Sequence, residues 1–149
     1  KLFKYARLPG GATLVKPLTF MNDSGAATRS ALKYFKVPAD ELLLVHDDSD
    51  ILLGKYKLSF GRGAGGHKGV ESVIHALGGK NFWRLRIGVR EAARNKITKK
   101  PLKAGEFVLK NISETALRKL YSAFSGAKLN VIENETRPAP MGEKDVSGN

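Results

Sequence analysis

The chain has 149 residues, of which 42% are hydrophobic and 27% charged, a composition that fits one globular domain with a buried core and excludes a chain biased toward disorder. It contains no cysteine, which excludes disulfide bonds and thiolate metal sites and is compatible with a reducing cytoplasm. With 26 Lys and Arg against 14 Asp and Glu, the net charge of +12 favours a polyanionic partner, most often nucleic acid, although a charge that only keeps the protein soluble is the alternative.

The apolar runs and the first residues carry two further expectations. The longest apolar run, LLLV at 42–45, is far too short to span a bilayer, and no charged and then apolar leader precedes it, so no membrane anchor is expected. Lys1 opens an alternating stretch, KLFKYARL, which is an unusual place for a natural start. We therefore expect that an N-terminal segment is missing.

The first half of the chain predicts a hairpin, a helix and a strand. The alternating stretches KLFKYARL and ATLVKPLTF flank PGG at 9–11, a turn signal, and this predicts a β-hairpin. A helix is predicted over about residues 23–36, because apolar residues recur there on one helical face, at Ala27, Ala31, Tyr34 and Phe35. ELLLVHDD predicts a central strand that is buried on both faces and whose carboxyl end opens into acidic residues.

The second half continues the alternation of strands and helices. GKYKLSF predicts a strand, FGRGAGGHKG a glycine-rich loop, residues 70–77 a short helix, and FWRLRIGVR a strand with its arginines off the apolar side. The basic segment 91–105 is expected to be a mobile surface loop, followed by a helix from about Ser113. Residues 1–135 would form the domain, and residues 136–149 a disordered tail.

This order of elements predicts the fold class. We expect an α/β fold, with a mixed, mostly parallel twisted sheet flanked by helices in a single domain. In such folds ligands bind outside the carboxyl ends of strands. Two features of the chain are predicted to follow strands in this way, His46-Asp47-Asp48 and the loop at 61–69.

The glycine-rich loop offers a site for an anion or an oxyanion. Its glycines let the backbone approach a ligand closely, and backbone N–H groups at the start of the following helix would favour negative charge. The spacing does not match a P-loop, and the bare Gly-x-Gly-x-x-Gly pattern is weak without its structural context. A flexible turn into a helix is the equally weighted alternative.

His67 and an acidic cluster at 47–50 are candidates for catalysis. His67 ends the glycine-rich loop, and a lone histidine is more often a structural hydrogen-bonding partner, as His75 is expected to be. Asp47 could orient a histidine by accepting its Nδ1–H and stabilising the imidazolium. The alternatives for Asp47, Asp48 and Asp50 are a solvated turn or a cation site. Their spacing fails that of a calcium loop, so no metal is expected.

The stretch FMN at 20–22 also has two readings. Phe20 and Met21 could be ordinary core residues or an adaptable wall against a varied ligand. Asn22 is a strong helix N-cap type and precedes an alanine-rich helix, and its amide also offers donors and an acceptor to a substrate.

Four segments taken together resemble the bacterial-type peptidyl-tRNA hydrolase family over roughly residues 12–125. In order and spacing these are KPLTFMNDSG, LLLVHDDSDILLGK, GRGAGGHKG and NFWRLRIGVR. The resemblance implies a cytoplasmic α/β monomer without metal or cofactor. It also implies hydrolysis of the ester that joins a nascent peptide to the terminal ribose of tRNA.

The resemblance also assigns roles to single residues. Asp47 would orient the catalytic histidine, and Asn22 would bind substrate and position water. Phe20 and Met21 would line the peptide channel, and His67 would lie near the substrate backbone. The residues expected to contact tRNA phosphates are Lys57, Arg84 and Arg86, with the basic loop at 94–103 as a further candidate.

The chain departs from the family pattern in two ways. The family's Arg-His-Asn motif, with its catalytic histidine, and its Asn-Pro-Gly motif are absent, so the chain is expected to lack the family's first strand and helix. Lys68 stands where the family has asparagine in Gly-Gly-His-Asn-Gly, and it could bind the terminal phosphate of tRNA. Two hypotheses follow: a peptidyl-tRNA hydrolase, or a non-catalytic RNA-binding relative on the same fold, similar to organellar splicing factors.

Overall fold

A computed structural model describes residues 1–90 together with residues 114, 115, 117–119, 121, 122, 146 and 147. Contacts within the chain form two compact units. The first comprises Lys1–Leu44 and Phe60–Trp83, and the second comprises Val45–Ser59 and Arg84–Asn149. No helix within the described residues is long and apolar enough to cross a membrane.

The first unit begins with a two-stranded hairpin. Strands β1 (Phe3–Arg7) and β2 (Thr13–Pro17) pair antiparallel, with Phe3 opposite Pro17 and Arg7 opposite Thr13. The turn contains Gly10 and Gly11 at φ of 91° and 90°, a conformation that residues with a Cβ rarely adopt. The predicted hairpin is therefore confirmed.

Two helices pack against each other in the same unit. A 3₁₀ turn (Met21–Asp23) leads into α1 (Ser24–Phe35), and α2 spans Lys68–Leu77. Gly25 allows the close approach, because a Cβ built on it would lie 2.1 Å from the backbone oxygen of Ser72. Both helices occur where the apolar periodicity predicts them.

An aromatic cluster joins β1 to the end of α1. Its members are Phe3, Tyr5, Tyr34 and Phe35, with ring centroids between 4.9 and 6.5 Å apart. The sequence pattern places Tyr34 on the buried face of the helix, but the side chain is 64% exposed and meets the other rings at the surface. Helical periodicity identifies a face and does not show how far neighbouring elements cover it.

Most residues of a four-stranded sheet lie in the second unit. Its strands are β3 (Leu43–Leu52), β4 (Tyr56–Phe60), β5 (Trp83–Arg90) and β6 (Val146–Ser147), in the order β3-β5-β4-β6. Hydrogen bonds from Trp83 N to Leu42 O and from Leu53 N to Arg90 O make β3 and β5 parallel.

The remaining strand pairs in this sheet are antiparallel. Gly88 N donates to Lys55 O and Gly61 N donates to Phe82 O, so β4 runs against β5. Strand β6 also runs against β4. The chain therefore has an α/β fold with a mixed sheet and helices, as predicted. The expectation that the sheet is mostly parallel does not hold for the described strands, because only β3 and β5 pair parallel and the other two pairings are antiparallel.

The prediction that β3 is a central strand buried on both faces is wrong for the sheet that the described residues form. There β3 lies at the edge, with β5 as its neighbour, and Val45 is 46% exposed. The strand also continues through His46, Asp47 and Asp48 to Leu52, so the acids lie inside the strand and not beyond its end. A run of apolar residues shows that a strand is hydrophobic, but it does not show which strands lie beside it in the sheet.

The C-terminal predictions are tested only in places. The described residues between 114 and 122 are helical, as predicted, whereas the basic segment 91–105 lies outside the described residues. In the segment 136–149, which the composition predicts to be disordered, Val146 and Ser147 form β6 opposite Leu58 and Lys57. The backbone of β4 supplies hydrogen-bonding partners that composition cannot reveal.

Candidate functional site

In the first unit, the turn that carries Asn22 meets the start of α2. A Cβ built on Gly69 would lie 3.0 Å from Cγ of Met21, and Ser24 Oγ donates a hydrogen bond to Gly69 O at 3.1 Å. Phe20 is 82% exposed and Met21 53%, so neither is an ordinary core residue. The structure thus brings the FMN stretch and the end of the glycine-rich loop into contact.

Asn22 does not cap α1. The N-cap position belongs to Asp23, whose side chain makes no capping hydrogen bond, and Asn22 lies one residue earlier, within the 3₁₀ turn. Its side chain is exposed and makes no hydrogen bond to any residue of the described part of the chain. The reading of Asn22 as a cap is therefore wrong, and its amide keeps two donors and an acceptor for other partners.

His67 caps α2. Its Nδ1 accepts hydrogen bonds from the backbone N–H groups of Gly69 at 3.1 Å and Val70 at 3.3 Å. A nitrogen that accepts cannot carry a proton, so the proton of the neutral ring lies on Nε2. Through Nε2 the ring is a hydrogen-bond donor, and in this arrangement Nδ1 cannot act as a base.

The same hydrogen bonds correct the expected anion site. The N–H groups of Gly69 and Val70 would be the donors for an anion at the start of α2, but both are bound to His67 Nδ1. Gly65 and Gly66, at φ of 60° and 83°, shape the turn that leads to this cap. The loop therefore acts chiefly as a turn into the helix.

Lys68, the departure from the family pattern, lies in the first turn of α2. Its Nζ forms an ion pair with Glu71 Oε2 at 3.0 Å, three residues along the helix. The Lys68 side chain remains 69% exposed. An exposed pair of this kind is weak and easily exchanged for another anion.

Asp47 belongs to the second unit and lies in the middle of β3. The neighbouring His46 donates from Nδ1 to the backbone oxygen of Asp47 at 2.6 Å. This bond uses the carbonyl of Asp47 and not its carboxylate. This bond is therefore not the contact between a carboxylate and a histidine that is predicted for Asp47.

An ion pair between β3 and β5 was not anticipated from the sequence. Arg86 Nε lies 2.7 Å from Asp48 Oδ2, and the side chains of Arg86 and Asp48 are only 24% and 13% exposed. Asp48 Oδ1 also accepts from Asp50 N at 2.9 Å. The ion pair depends on the parallel pairing of β3 and β5, and a single sequence does not reveal which strands are neighbours.

The three predicted tRNA contacts of the second unit have different environments. Lys57 on β4 is half-buried and forms no ion pair with any residue that the structure describes. Arg86 is partly neutralised by Asp48. Arg84 is 3% exposed, and a phosphate contact requires a donor that reaches the surface.

Considered within each unit, the predicted residues form two sets. Phe20, Met21, Asn22, His67 and Lys68 belong to the first unit, and Asp47, Lys57, Arg84 and Arg86 to the second. Among the residues with described positions, no three His, Cys, Asp or Glu side chains are grouped so that they could hold a metal ion. The first set combines exposed apolar side chains, a carboxamide and an imidazole donor, which can offer a ligand both apolar contact and hydrogen bonds.

The described residues form an α/β fold with a mixed sheet, and comparison with known proteins gives its family. A family model for peptidyl-tRNA hydrolases matches residues 3–137. The chain belongs to the peptidyl-tRNA hydrolase family.

Individual relatives agree with this placement. A peptidyl-tRNA hydrolase of Desulfotalea psychrophila is 41% identical over 96 residues, which are 64% of this chain and 49% of the relative. One from Geobacter metallireducens is 40% identical over 113 residues, 76% of this chain and 55% of the relative. This chain therefore spans about half the length of these curated relatives.

The fold is also similar to solved structures. The crystal structure of peptidyl-tRNA hydrolase from Acinetobacter baumannii superposes with a TM-score of 0.71 at 26% sequence identity, covering 87% of this chain and 63% of that one. The predicted resemblance to the family is confirmed.

Proposed function

We propose that this protein takes part in hydrolysis of the ester between a nascent peptide and the terminal ribose of tRNA, which recycles peptidyl-tRNA. The observation that carries the proposal is the contact between the FMN turn and the start of α2, where Met21 packs against Gly69. Membership of the peptidyl-tRNA hydrolase family supports the reaction, and the net charge of +12 supports an RNA substrate.

The proposed reaction needs only water and the ester. A water oxygen adds to the ester carbonyl carbon to form a tetrahedral oxyanion, and the bond from that carbon to the ribose oxygen then breaks, leaving a peptide carboxyl and a tRNA hydroxyl. Asn22 is proposed to bind substrate and position the water, since its amide is exposed and makes no hydrogen bond within the described residues. No cofactor enters this scheme.

The neighbouring residues are proposed to hold the peptide. The exposed side chains of Phe20 and Met21 offer apolar contact to peptide side chains of varied shape. His67 would donate from Nε2 to an oxygen of the substrate backbone, a role supported by the two hydrogen bonds that its Nδ1 accepts. Lys68 would contact the terminal phosphate of tRNA, since its side chain is exposed.

Residues of the second unit are proposed to support catalysis and to contact tRNA. Asp47 would orient a catalytic histidine through its carboxylate. The family's Arg-His-Asn motif does not occur in these 149 residues, so we assign no general base among them. Lys57 and Arg86 would contact phosphates. Arg84 is left out of this set because it is buried.

The site of action follows from the substrate. Peptidyl-tRNA arises during translation, so we propose that the protein acts in the cytoplasm. We also propose that it acts as a monomer, as the family resemblance implies. A second function, RNA binding without catalysis, is favoured by Lys68 in place of the family asparagine.

Turnover and binding assays separate these two functions. The protein is expressed from its reading frame, with any codons that precede Lys1, and is mixed with labelled peptidyl-tRNA; ester cleavage and retention of deacylated tRNA on a filter are both measured. We expect cleavage together with binding. Binding without cleavage would support the RNA-binding relative, and the absence of both would contradict both functions.

A further inference from the structure

A groove between α1 and α2 lies within the first unit. It encloses about 590 Å³, and among its lining residues Arg29 and Lys33 come from α1 and His75 from α2. The helices are held firmly here, because Gly25 N donates to Ser72 Oγ at 3.0 Å and a Cβ on Gly25 would clash with the Ser72 backbone. The two helices that line the groove are therefore in direct contact.

The cations of α1 are arranged on one side of this groove. Arg29 and Lys33 are four residues apart, so their side chains are neighbours on the helix surface. Both are exposed, and neither forms an ion pair with a residue in the described part of the chain. Like charges at this spacing destabilise a helix, and an anion bound between them would remove that cost.

Intramolecular roles account for only part of this charge. Lys33 lies in the last turn of α1, where its positive charge stabilises the exposed carbonyl end of the helix. Arg29 lies mid-helix and has no such role. The acid of the groove, Asp23, is at the start of α1, about 9 Å along the helix axis from Arg29 and about 15 Å from Lys33.

The hydroxyl and imidazole groups add polar contacts that suit a phosphate. Ser30 and His75 also line the groove, and their side chains carry hydrogen-bonding groups. The guanidinium of Arg29, another lining residue, matches phosphate geometry with paired N–H groups. We propose that the groove between α1 and α2 binds the phosphodiester backbone of tRNA, in addition to the contacts proposed for Lys57, Lys68 and Arg86. This inference rests on the proposed function for its choice of RNA as the partner.

Salt dependence of tRNA binding tests the proposal directly. Each phosphate contact adds about 0.7 to 0.9 to the slope of log affinity against log salt. The double variant Arg29→Gln with Lys33→Gln should therefore lower the slope by about 1.5. When salt is raised from about 50 to 200 mM, the factor by which its tRNA affinity falls should be about tenfold smaller than the factor for the wild type. Deacylated tRNA is the probe, so the measurement does not depend on ester cleavage.

Two control variants separate the groove from general charge. Lys4→Gln with Lys16→Gln removes the same charge from exposed residues that face each other across the hairpin, and it should leave the slope close to that of the wild type. Arg29→Lys with Lys33→Arg keeps both charges and should also retain the slope. Thermal unfolding of each variant, compared with that of the wild type, verifies that all of them are folded.

The outcomes decide between the possibilities. A slope that falls only when the two α1 charges are removed supports the inference. An equal fall in the hairpin variant, an unchanged slope in the groove variant, no salt-dependent binding by the wild type, or equal competition by polyglutamate would overturn it. Absence of ester cleavage with the predicted slopes intact would overturn the proposed hydrolysis alone.

Discussion

His67 Nδ1 accepts a hydrogen bond from the backbone N–H of Gly69 at 3.1 Å. This contact makes one side chain serve two purposes, because it ends the glycine-rich loop with a helix cap and leaves the ring proton on Nε2. The neighbouring Met21 packs against the same glycine. The start of α2 is thus the point at which the fold and the proposed substrate contacts depend on the same residues.

Removal of the His67 cap should destabilise the protein. His67→Ala leaves two N–H groups without their partner, and losing an N-cap side chain costs about 1 kcal/mol. His75→Ala is the matched control, since His75 is exposed near the end of the same helix, and a surface change of this kind should stay within about 0.5 kcal/mol. Urea unfolding of both variants measures the difference, and equal stabilities would show that the cap contributes nothing.

Nitrogen-15 NMR of the imidazoles tests the tautomer of His67 independently. At neutral pH we expect the His67 Nδ1 resonance at the position of an unprotonated nitrogen and Nε2 at that of a protonated one. A proton on Nδ1 would contradict the cap and, with it, the proposed donor role of Nε2.

The partly buried ion pair between Asp48 and Arg86 should stabilise the protein more than the exposed pair in α2. Asp48→Asn removes a charged hydrogen bond at 2.7 Å and leaves Arg86 only 24% exposed, so we expect a loss of about 1.5 to 3 kcal/mol. Glu71→Gln removes the exposed partner of Lys68 and should cost less than about 1 kcal/mol. Similar losses in the two variants would mean that burial does not strengthen the first pair.

Tyr34 should titrate above ordinary tyrosines. A hydrogen bond with Tyr5 raises the pKa of Tyr34, and electrostatic repulsion from Tyr5 adds to this, while Arg7 lowers it. Since the pKa is higher in the folded state, the stability from this group is present below the pKa of the unfolded chain and is lost as pH rises through the folded pKa. In an ultraviolet titration, Tyr5→Phe should bring the pKa of Tyr34 down, and Tyr121→Phe should not.

Lys68 provides a test of the proposed contact with the terminal phosphate. Lys68→Asn should reduce the salt slope of tRNA binding by about 0.7 to 0.9, the amount expected for one phosphate. Lys80→Asn, at an exposed position beyond α2, is the control and should leave the slope unchanged. If Lys68→Asn binds tRNA with unaltered affinity and salt dependence, the phosphate role is wrong.

Local patterns in the sequence were sufficient for the hairpin and the helices. The turn at Gly10 and Gly11 and the buried positions Ala27 and Ala31 follow from chemistry and spacing within one segment. The same local information failed for Asn22, because a 3₁₀ turn precedes α1 and moves the cap to Asp23. A single extra turn shifts a helix start without changing the periodicity that predicts it.

Non-local pairing limited the prediction of the candidate site. Alternation along β5 placed Arg84 and Arg86 together off the apolar side, yet Arg84 is buried and Arg86 pairs with Asp48 on the neighbouring strand. Strand neighbours are set by contacts between distant segments, which one sequence does not record. The two hydrogen bonds that His67 accepts at the start of α2 were easier to predict, since a polar residue before an apolar helical face is a capping signal.

Turnover of peptidyl-tRNA by an Asn22→Ala variant tests the central claim most directly. Single-turnover ester cleavage is measured with saturating enzyme, and each protein is expressed from its full reading frame. The wild type and Asn81→Ala are measured in parallel, because Asn81 is an exposed asparagine outside the proposed site. The account predicts that Asn22→Ala cleaves slower by about 10² to 10³, as for loss of a positioned amide donor, and that Asn81→Ala matches the wild type. Cleavage by Asn22→Ala at the wild-type rate would contradict it.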